Sequence, residues 1–566
     1  MDLRFLGGAT TVTGSQFLLT TTQAKVLVDC GMFQGSPNEA VRNRVAFAYD
    51  PAEIDAVLLT HAHLDHCGLL PVLVREGYRG PIHATAGTVE LATLVLLDSG
   101  HLHEEFAKRE ARWEKRHPDK VAADDRAEQA AYQAAVDLAA AGGSEEAAVE
   151  TSSEPATTVE PVTGIAPAIG ATPTSASADA ATAAADDAAA AAVTAWPHDP
   201  EAELRSQPPE VVVDLDAPLY TVKDAEQVIA HFASLTYDEE LEVAPGVWAT
   251  FLDAGHILGS AIIRLRVQEP DGEERTIVCS GDLGRPGTPI LRDPTILTAA
   301  DYVLVESTYG GREHEPEAEA IRVLAETIRL VNDAKGVLLV PSFAIGRTQE
   351  VVWQLDRLIE RGEIPLLPLY LDSPMASKAS DIYRHHPEYY DEETAKLLRE
   401  GDTPLDYPNQ TITNDVKASQ AIEHAPRPYM IVASNGMLTG GRVVGHLRWL
   451  IDDPGATILF VGYQGEGTLG AHLQAGARQV KIDGQLRDVR CKVRSISGFS
   501  AHADESELLD WLRPFAADKH PGDPGYPRRV FLVHGDPEAQ VALEPKVRDL
   551  GFATHVPYWH ERVTLE

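Results

Sequence analysis

The sequence is poor in cysteine, in long apolar runs and in basic residues. Its cysteines lie far apart without a CxxC pair, which argues against a disulfide framework or a cysteine-based zinc site and favours a reducing cytoplasm; they are Cys30, Cys67, Cys279 and Cys491. No run of about 18 apolar residues could span a membrane. The N-terminus lacks the basic and apolar regions of a signal peptide. We therefore expect a cytoplasmic chain with no membrane partner.

The shortage of basic residues limits how the chain could contact nucleic acid. Lys and Arg number 48 against 86 Asp and Glu, a net charge of −38. Bulk electrostatics therefore cannot drive nucleic-acid binding, and any such contact needs a local basic site. Residues 121–210 alone hold 16 acidic residues and two arginines. That segment is rich in Ala, Thr, Pro and Glu, which predicts a disordered or weakly helical insert.

At 566 residues the chain is long enough for two or three domains, and its apolar patterns change near residue 310. Up to that point the strands dominate, and we predict them at 2–6, 17–20, 25–28, 56–59, 247–251, 261–267, 276–279 and 302–306. Helical periodicity appears at 67–75, 88–97 and 222–235. Beyond residue 310, strands alternate with helices, which is typical of a mostly parallel sheet wound on both sides. The fold class predicted is therefore α/β.

The densest chemical motif is His61-Ala-His63-Leu-Asp65-His66, directly after the predicted strand at 56–59. Four metal-competent side chains fall within six residues, at the end of a buried strand, where α/β folds keep their sites. His61 and His63 can reach one ion, while Asp65 and His66 turn towards a second. The alternative, a polar turn that happens to contain histidines, fits this density poorly.

Further ligand candidates follow other predicted strands. His256, Asp282 and His534 each lie beside a glycine just after an apolar run. One such residue alone is more often a capping or packing residue, but together with the 61–66 cluster they complete two coordination spheres. Asp29 follows the strand at 25–28 and could accept a hydrogen bond from a ligand histidine; otherwise it is a turn residue.

With these residues in place, the chain resembles the metallo-β-lactamase-fold ribonucleases of the β-CASP group. That family includes the endonuclease of the cleavage and polyadenylation specificity factor and its bacterial and archaeal relatives. The resemblance covers nearly everything except 121–210, and its motifs occur in the family's order. They are the 61–66 cluster, His256, Asp282, Glu306 in Glu-Ser-Thr-Tyr-Gly, His502 in Phe-Ser-Ala-His-Ala-Asp, and His534 in Val-His-Gly-Asp.

The resemblance implies a centre with two zinc ions, although the ligand types would also suit manganese. One zinc would be held by His61, His63, His256 and Asp282, and the other by Asp65, His66, Asp282 and His534. It also implies that a hydroxide bridging the metals attacks phosphorus, oriented by Asp65. His502 would protonate the leaving oxygen, and Glu306 would raise the pKa of His502. Without the family, His502 and Glu306 would be a helix-start residue and a buried ion-pair partner.

The resemblance also implies a domain order and an RNA-binding lid. The metallo-β-lactamase sandwich would comprise 1–120, 211–310 and the C-terminal 486–566, with the acidic insert at 121–210 and the β-CASP lid at 311–485. Single-stranded RNA is the expected partner, and a homodimer is compatible with the family. We predict four residues near the RNA, namely Arg347, Lys378, Arg442 and Ser500; ordinary βα turns are the alternative for the loops that carry the first three. His446 we expect on a helix surface.

Four functions remain to be weighed. A zinc-dependent ribonuclease, with endonuclease favoured over 5′-to-3′ exonuclease, accounts for every motif. A small-molecule hydrolase of thioesterase or lactamase type needs neither the lid nor Glu306 with His502. A non-catalytic RNA-binding scaffold would have lost metal ligands, which this chain keeps. The DNA-repair branch of the family typically lacks the last metal histidine, so His534 favours RNA.

Overall fold

The computed structural model of the chain describes residues 1–140 and 215–566, apart from the single residues Ser36, His117, Asp216, Asp271, Tyr463 and Glu466. The predicted insert at 121–210 therefore lies mostly outside the described residues. Its first part does not: helix Pro118–Ala140 crosses the predicted boundary at residue 120. Alanine has the highest intrinsic helix propensity, which accounts for a helix in this alanine-rich stretch. The other predicted domain bounds stay predictions.

The described residues form 22 strands. In chain order they are β1 (Asp2–Gly7), β2 (Gln16–Thr20), β3 (Lys25–Val28), β4 (Ala56–Leu58), β5 (Ile82–Thr85), β6 (Phe232–Leu235), β7 (Glu240–Ala244), β8 (Val247–Asp253), β9 (Ala261–Gln268), β10 (Glu274–Cys279), β11 (Tyr302–Glu306), β12 (Val337–Pro341), β13 (Leu369–Asp372), β14 (Gln410–Ile412), β15 (Tyr429–Ala433), β16 (Ala456–Phe460), β17 (Gln479–Ile482), β18 (Gln485–Asp488), β19 (Lys492–Ser495), β20 (Arg529–Val533), β21 (Thr554–His555) and β22 (Glu561–Thr564).

The same residues form 15 α-helices. They are α1 (Pro37–Ala40), α2 (Leu64–Cys67), α3 (Leu70–Arg75), α4 (Ala86–Glu114), α5 (Pro118–Ala140), α6 (Val222–Ile229), α7 (Glu317–Asp333), α8 (Arg347–Glu360), α9 (Pro374–His385), α10 (Glu392–Arg399), α11 (Val416–Ala421), α12 (Arg442–Leu450), α13 (Leu469–Gln474), α14 (Glu505–Leu512) and α15 (Pro537–Asp549).

Two seven-stranded sheets form a sandwich with helices outside. Their strand orders are β22-β1-β2-β3-β4-β5-β6 and β21-β20-β11-β10-β9-β8-β7. The core between the sheets contains Phe5, Val26, Phe251 and Ile263, all inaccessible to solvent. Helices α3, α4 and α6 cover the first sheet, and α14 and α15 cover the second. Each helix hides one apolar stripe, as a layered α/β fold requires.

A six-stranded sheet forms the β-CASP-like part, which we call the lid. Its order is β14-β13-β15-β12-β16-β19, and all its pairs are parallel. One face packs on α7 and α8, and the other packs on α12. Strands buried on both faces and crossing over through helices are what the alternating pattern after residue 310 predicted. The α/β fold class is thus confirmed.

The strand directions bring the predicted ligands to one edge. Strand β10 is parallel to β11, and β11 is parallel to β20, with Glu306 paired to Val533. Strand β8 is antiparallel to β9, which is antiparallel to β10, so β8 and β10 run the same way. In the first sheet β3 and β4 are parallel. The carboxyl ends of these strands therefore share one edge of the sandwich.

Several elements differ from the sequence prediction. The helix predicted at 222–235 ends at Ile229, and residues 232–235 form β6 instead, because they pair with β5 at the sheet edge. The helix predicted at 67–75 is split into α2 and α3. Strand β22, paired with β1, was not predicted. Pairing partners hundreds of residues apart in the chain leave no local signal.

Candidate metal centre

Four side chains from three loops meet at one end of the sandwich. His63 Nδ1 lies 3.1 Å from His61 Nε2 and 3.2 Å from His256 Nε2. Asp282 Oδ2 lies 3.4 Å from His61 Nε2 and 3.6 Å from His256 Nε2. These four residues form one group of converging ligand atoms.

A second group lies beside the first. His66 Nε2 is 3.3 Å from His534 Nε2, and Asp65 Oδ2 is 3.5 Å from His534 Nε2. The other oxygen of Asp282, Oδ1, lies 3.3 Å from His66 Nε2. One Asp282 carboxylate thus faces both groups, each oxygen towards one of them.

The short helix α2 carries Asp65 and His66. The position of this helix depends on close packing of its backbone against neighbouring segments. Ser15 N donates to Asp65 O at 2.8 Å, and Cys30 N donates to His66 O at 2.8 Å. A Cβ atom on Gly31 would lie 1.6 Å from Asp65 O, so only glycine fits there. The residues just before β2 and just after β3 therefore fix where Asp65 and His66 lie.

Polar groups behind the ligands orient their rings. Asp29 Oδ2 accepts from His66 Nδ1 at 2.8 Å, which orients the ring so that Nε2 faces the centre. Thr60 donates to the same carboxylate through its amide at 2.8 Å and its hydroxyl at 2.9 Å. His256 Nδ1 lies 3.3 Å from Ala501 O. Asp29 was singled out from the sequence; Thr60 was not, since a threonine after a strand carries no signal.

The protonation of the first group suits metal ligation. Burial lowers the pKa of His63 to about 4 and puts those of His61 and His256 well below the usual range. Burial would raise the pKa of Asp282, but His534 and His66, both of the second group, outweigh it and hold that pKa well below its ordinary value. Neutral imidazoles around an ionised carboxylate are the state in which these groups bind a cation.

The residues of both groups fit metal ions. Asp282 Oδ1 is buried and receives no hydrogen bond of acceptable geometry from the described residues, although imidazole nitrogens surround it. Four ligands at about 2.0–2.1 Å from one tetrahedral zinc lie roughly 3.3–3.4 Å from one another. The four separations given above for the first group, 3.1–3.6 Å, are close to that spacing.

His502 and Glu306 form a third element of the site. Glu306 is fully buried at the end of β11, and its carboxylate oxygens lie 3.2 and 3.3 Å from His502 Nδ1. Leu283 N also donates to Glu306 Oε1, at 2.6 Å. Burial alone would lower the pKa of His502, but Glu306 outweighs it and raises that pKa to about 9. The imidazole is thus held protonated, 4.0 Å from Asp282.

The four residues predicted near RNA have different surroundings. Ser500 is buried and lines a cavity beside His256, and its Oγ accepts from His502 N at 3.3 Å. Lys378 is exposed on α9. Arg347 is buried and paired with Glu350, which lines the same cavity. Since its charge is already neutralised, Arg347 is a weaker anion contact than the sequence suggested.

Arg442 and His446 belong to a buried network in the lid. Asp372 is fully buried; its Oδ1 lies 2.7 Å from Arg442 Nη1, and its Oδ2 lies 2.6 Å from His446 Nε2. Arg442 also donates to the carbonyls of Thr413 and Asn414. The prediction that His446 lies on the surface is wrong, because the ring turns inward to reach Asp372.

Comparison with known proteins places these features in a family. Residues 9–175 match the metallo-beta-lactamase superfamily, residues 348–473 match the Beta-Casp domain, and residues 487–557 match the Zn-dependent metallo-hydrolase RNA specificity domain. Fold and site therefore define a metal-dependent hydrolase with a β-CASP lid.

Relatives that align with nearly the whole of this chain define its family more narrowly. Ribonuclease TTHA0252 of Thermus thermophilus is 33% identical over 95% of this chain and 94% of its own. Transcription termination factor FttA of Methanosarcina mazei is 28% identical, and that of Methanocaldococcus jannaschii 27%, each over 96% of this chain and 68% of its own. The chain belongs to the β-CASP ribonuclease family and is a metal-dependent nuclease. Within the described residues, no helix is both long and apolar enough to cross a bilayer.

Proposed function

We propose that the chain hydrolyses RNA phosphodiester bonds at this centre with two zinc ions. His61, His63 and His256 would hold one ion, and Asp65, His66 and His534 the other, with Asp282 shared. The support is the two-sided position of the Asp282 carboxylate, with Oδ2 3.4 Å from His61 and Oδ1 3.3 Å from His66. A ligand set of nitrogen and oxygen suits zinc, and manganese would accept the same set.

When bound, such ions lower the pKa of water and neutralise the phosphodiester charge. The chain's own residues supply orientation and protons. Burial would raise the pKa of Asp65, but the hydrogen bond from His534 and nearby imidazoles outweigh it, so Asp65 stays ionised. Asp65 lies in the second group, 3.5 Å from His534 Nε2. An ionised carboxylate there can accept a hydrogen bond from the attacking water and so aim the oxygen lone pair of that water at phosphorus.

The observation that carries the proposal is the buried contact of Glu306 with His502 Nδ1, at 3.2 Å. A ribose oxygen is a poor leaving group until it is protonated, so RNA hydrolysis benefits from an acid beside the metals. A thiolate leaves without a proton, so a thioesterase has less use for this pair. We assign His502 as the acid and Glu306 as the residue that keeps it protonated.

Single-stranded RNA would reach the centre between the sandwich and the lid. The cavity lined by Ser500, Gly346 and Glu350 opens beside His256, in support of that route. Of the four residues predicted near RNA, Lys378 and Ser500 keep groups available for it. Arg347 and Arg442 we assign chiefly to the lid's own structure, because carboxylates of the lid already bind them.

Metal analysis and an RNA digest test the proposal together. We expect about two zinc ions per purified chain and cleavage of single-stranded RNA labelled at its 5′ end. His63→Ala should remove metal and cleavage, while the matched control His520→Ala, at an exposed loop position, should change neither. An enzyme without metal, or one that leaves RNA intact while it hydrolyses a thioester, would refute the proposal.

The mode of cutting follows from the same digest. We propose endonuclease action, following the family resemblance, so internal fragments should appear first. Immediate release of mononucleotides would show 5′-to-3′ exonuclease action instead. Sedimentation would test the predicted homodimer, and the predicted cytoplasmic location agrees with four free, buried cysteines.

A further inference from the structure

Two segments of the chain cross beside His502. Linker one, residues 307–316, leaves the sandwich after β11 and enters the lid. Linker two, residues 496–504, returns from β19 to α14 and carries His502. Glu315 Oε1 accepts from the amides of Ser497, at 2.7 Å, and Gly498, at 3.2 Å. The two linkers are therefore bound to each other, and not only to the domains that they connect.

His314 of linker one contacts the backbone of His502 directly. Its Nε2 lies 3.1 Å from His502 O, and its own amide donates to Asp504 Oδ2 at 3.1 Å. The ring of Tyr309 packs on His314 with centroids 4.2 Å apart, and Tyr309 in turn lies 6.2 Å from the His502 ring. The contacts of His314 thus bracket the residue that we assign as the acid.

The direction of this hydrogen bond is fixed by chemistry. A carbonyl oxygen only accepts, so His314 must carry its proton on Nε2. Among the described residues no group bonds to the buried Nδ1, which is consistent with an unprotonated nitrogen there. Burial, with a smaller contribution from Arg285, lowers the pKa of His314 to about 4, so the ring is neutral at ordinary pH.

We propose that His314 is a positioning residue, which holds the peptide of His502 through the bond from Nε2 to the carbonyl and so keeps the acid aimed at the leaving oxygen. The proposal rests on the acid role of His502 in the proposed function. Linker two is also held by the bonds of Ser497 and Gly498 to Glu315. The peptide that carries His502 O is held on its N–H side as well, where the Ala503 amide donates to Leu283 O at 2.8 Å. Loss of the His314 bond frees the carbonyl side of the His502 peptide.

Two substitutions of nearly equal size distinguish the effect of this hydrogen bond on kcat from the effect of the ring packing on Tyr309. The amide nitrogen of a glutamine reaches about as far as Nε2 of histidine, and that of an asparagine only about as far as Nδ1. Both His314→Gln and His314→Asn lose the ring that packs on Tyr309, but only glutamine can donate to His502 O. We expect His314→Asn to lower kcat for single-stranded RNA on the order of tenfold, with KM and bound zinc unchanged, as for a misplaced catalytic group. His314→Gln should recover most of that loss.

Equal kcat for the glutamine and asparagine variants, or wild-type kcat for both, would overturn the proposal; so would parallel losses of kcat and zinc. His502→Ala in the same assay distinguishes failure of the role proposed for His314 from failure of the acid role proposed for His502. If it lowers kcat while the His314 variants do not, only the role of His314 falls. If His502→Ala itself keeps wild-type kcat, the acid role and the role of His314 fall together.

Discussion

Replacing Glu306 by glutamine isolates the charge that keeps His502 protonated. The glutamine has the same shape, and its carbonyl can still accept from Leu283 N, now 2.6 Å from Glu306 Oε1. Its amide would face His502 Nδ1 in place of the carboxylate. The fold and the metal ligands should therefore persist, while the acid loses its ionised partner.

The size of the effect follows from the pKa of His502. With Glu306 ionised that pKa is about 9, so the imidazole is almost fully protonated at pH 7.5. Without the charge it should return to about 6.5 or lower, leaving about a tenth of the rings protonated at pH 7.5. The acid acts in its protonated form, so activity is lost as the pH rises through the pKa of His502. That pKa is about 9 in the wild type and should be about 6.5 or lower in the variant. We expect kcat of Glu306→Gln to fall roughly tenfold at pH 7.5 and to recover towards pH 6.

The assay compares two leaving groups. RNA releases a poorly acidic ribose oxygen, whereas bis(p-nitrophenyl) phosphate releases a stable phenolate that needs no proton. Glu306→Gln and His502→Ala should therefore lose activity on RNA and nearly none on the activated ester, with zinc content unchanged. The matched control is Glu392→Gln, because the Glu392 side chain is 91% exposed. Equal losses on both substrates, or no recovery at lower pH, would refute the acid role of His502.

Three further predictions concern metal and stability. Removal of metal by a chelator should abolish cleavage and lower Tm, because the Asp282 carboxylate and its buried imidazoles lose their ion; zinc should restore both, and an unchanged Tm would contradict this. Gly31→Ala should lower the free energy of unfolding by more than about 3 kcal/mol in a denaturant titration, since its Cβ would overlap Asp65 O; a near-neutral result would contradict the packing. Asp372→Asn should destabilise the lid by about 3 kcal/mol, since the charge of Arg442 loses its buried partner; limited proteolysis of the lid compared with wild type measures this.

Patterns within short stretches of sequence were enough to predict much of the fold and the metal-ligand candidates. Strands β3 and β11 begin and end where apolar runs predict, because a strand buried on both faces needs a continuous apolar run. The cluster at 61–66 could also be recognised from the sequence, because its four metal-competent residues lie within six positions of the chain. Other features depended on distant pairing: β6 and β22 exist because β5 and β1 lie beside them.

The amino-acid sequence alone was enough to identify the residues able to bind metal and to show that they follow strands. How they meet depended on the tertiary structure: the loop after β10 brings Asp282 to His61 and His66 of the loop after β4, and one carboxylate oxygen faces each group. It also turned His446 inward to Asp372 and bound Arg442 within the lid. His314, eight residues after Glu306, gained a role only when linker two crossed it. The physical reason is that hydrogen bonds and charges act over a few ångström in space, while sequence patterns record only neighbours along the chain.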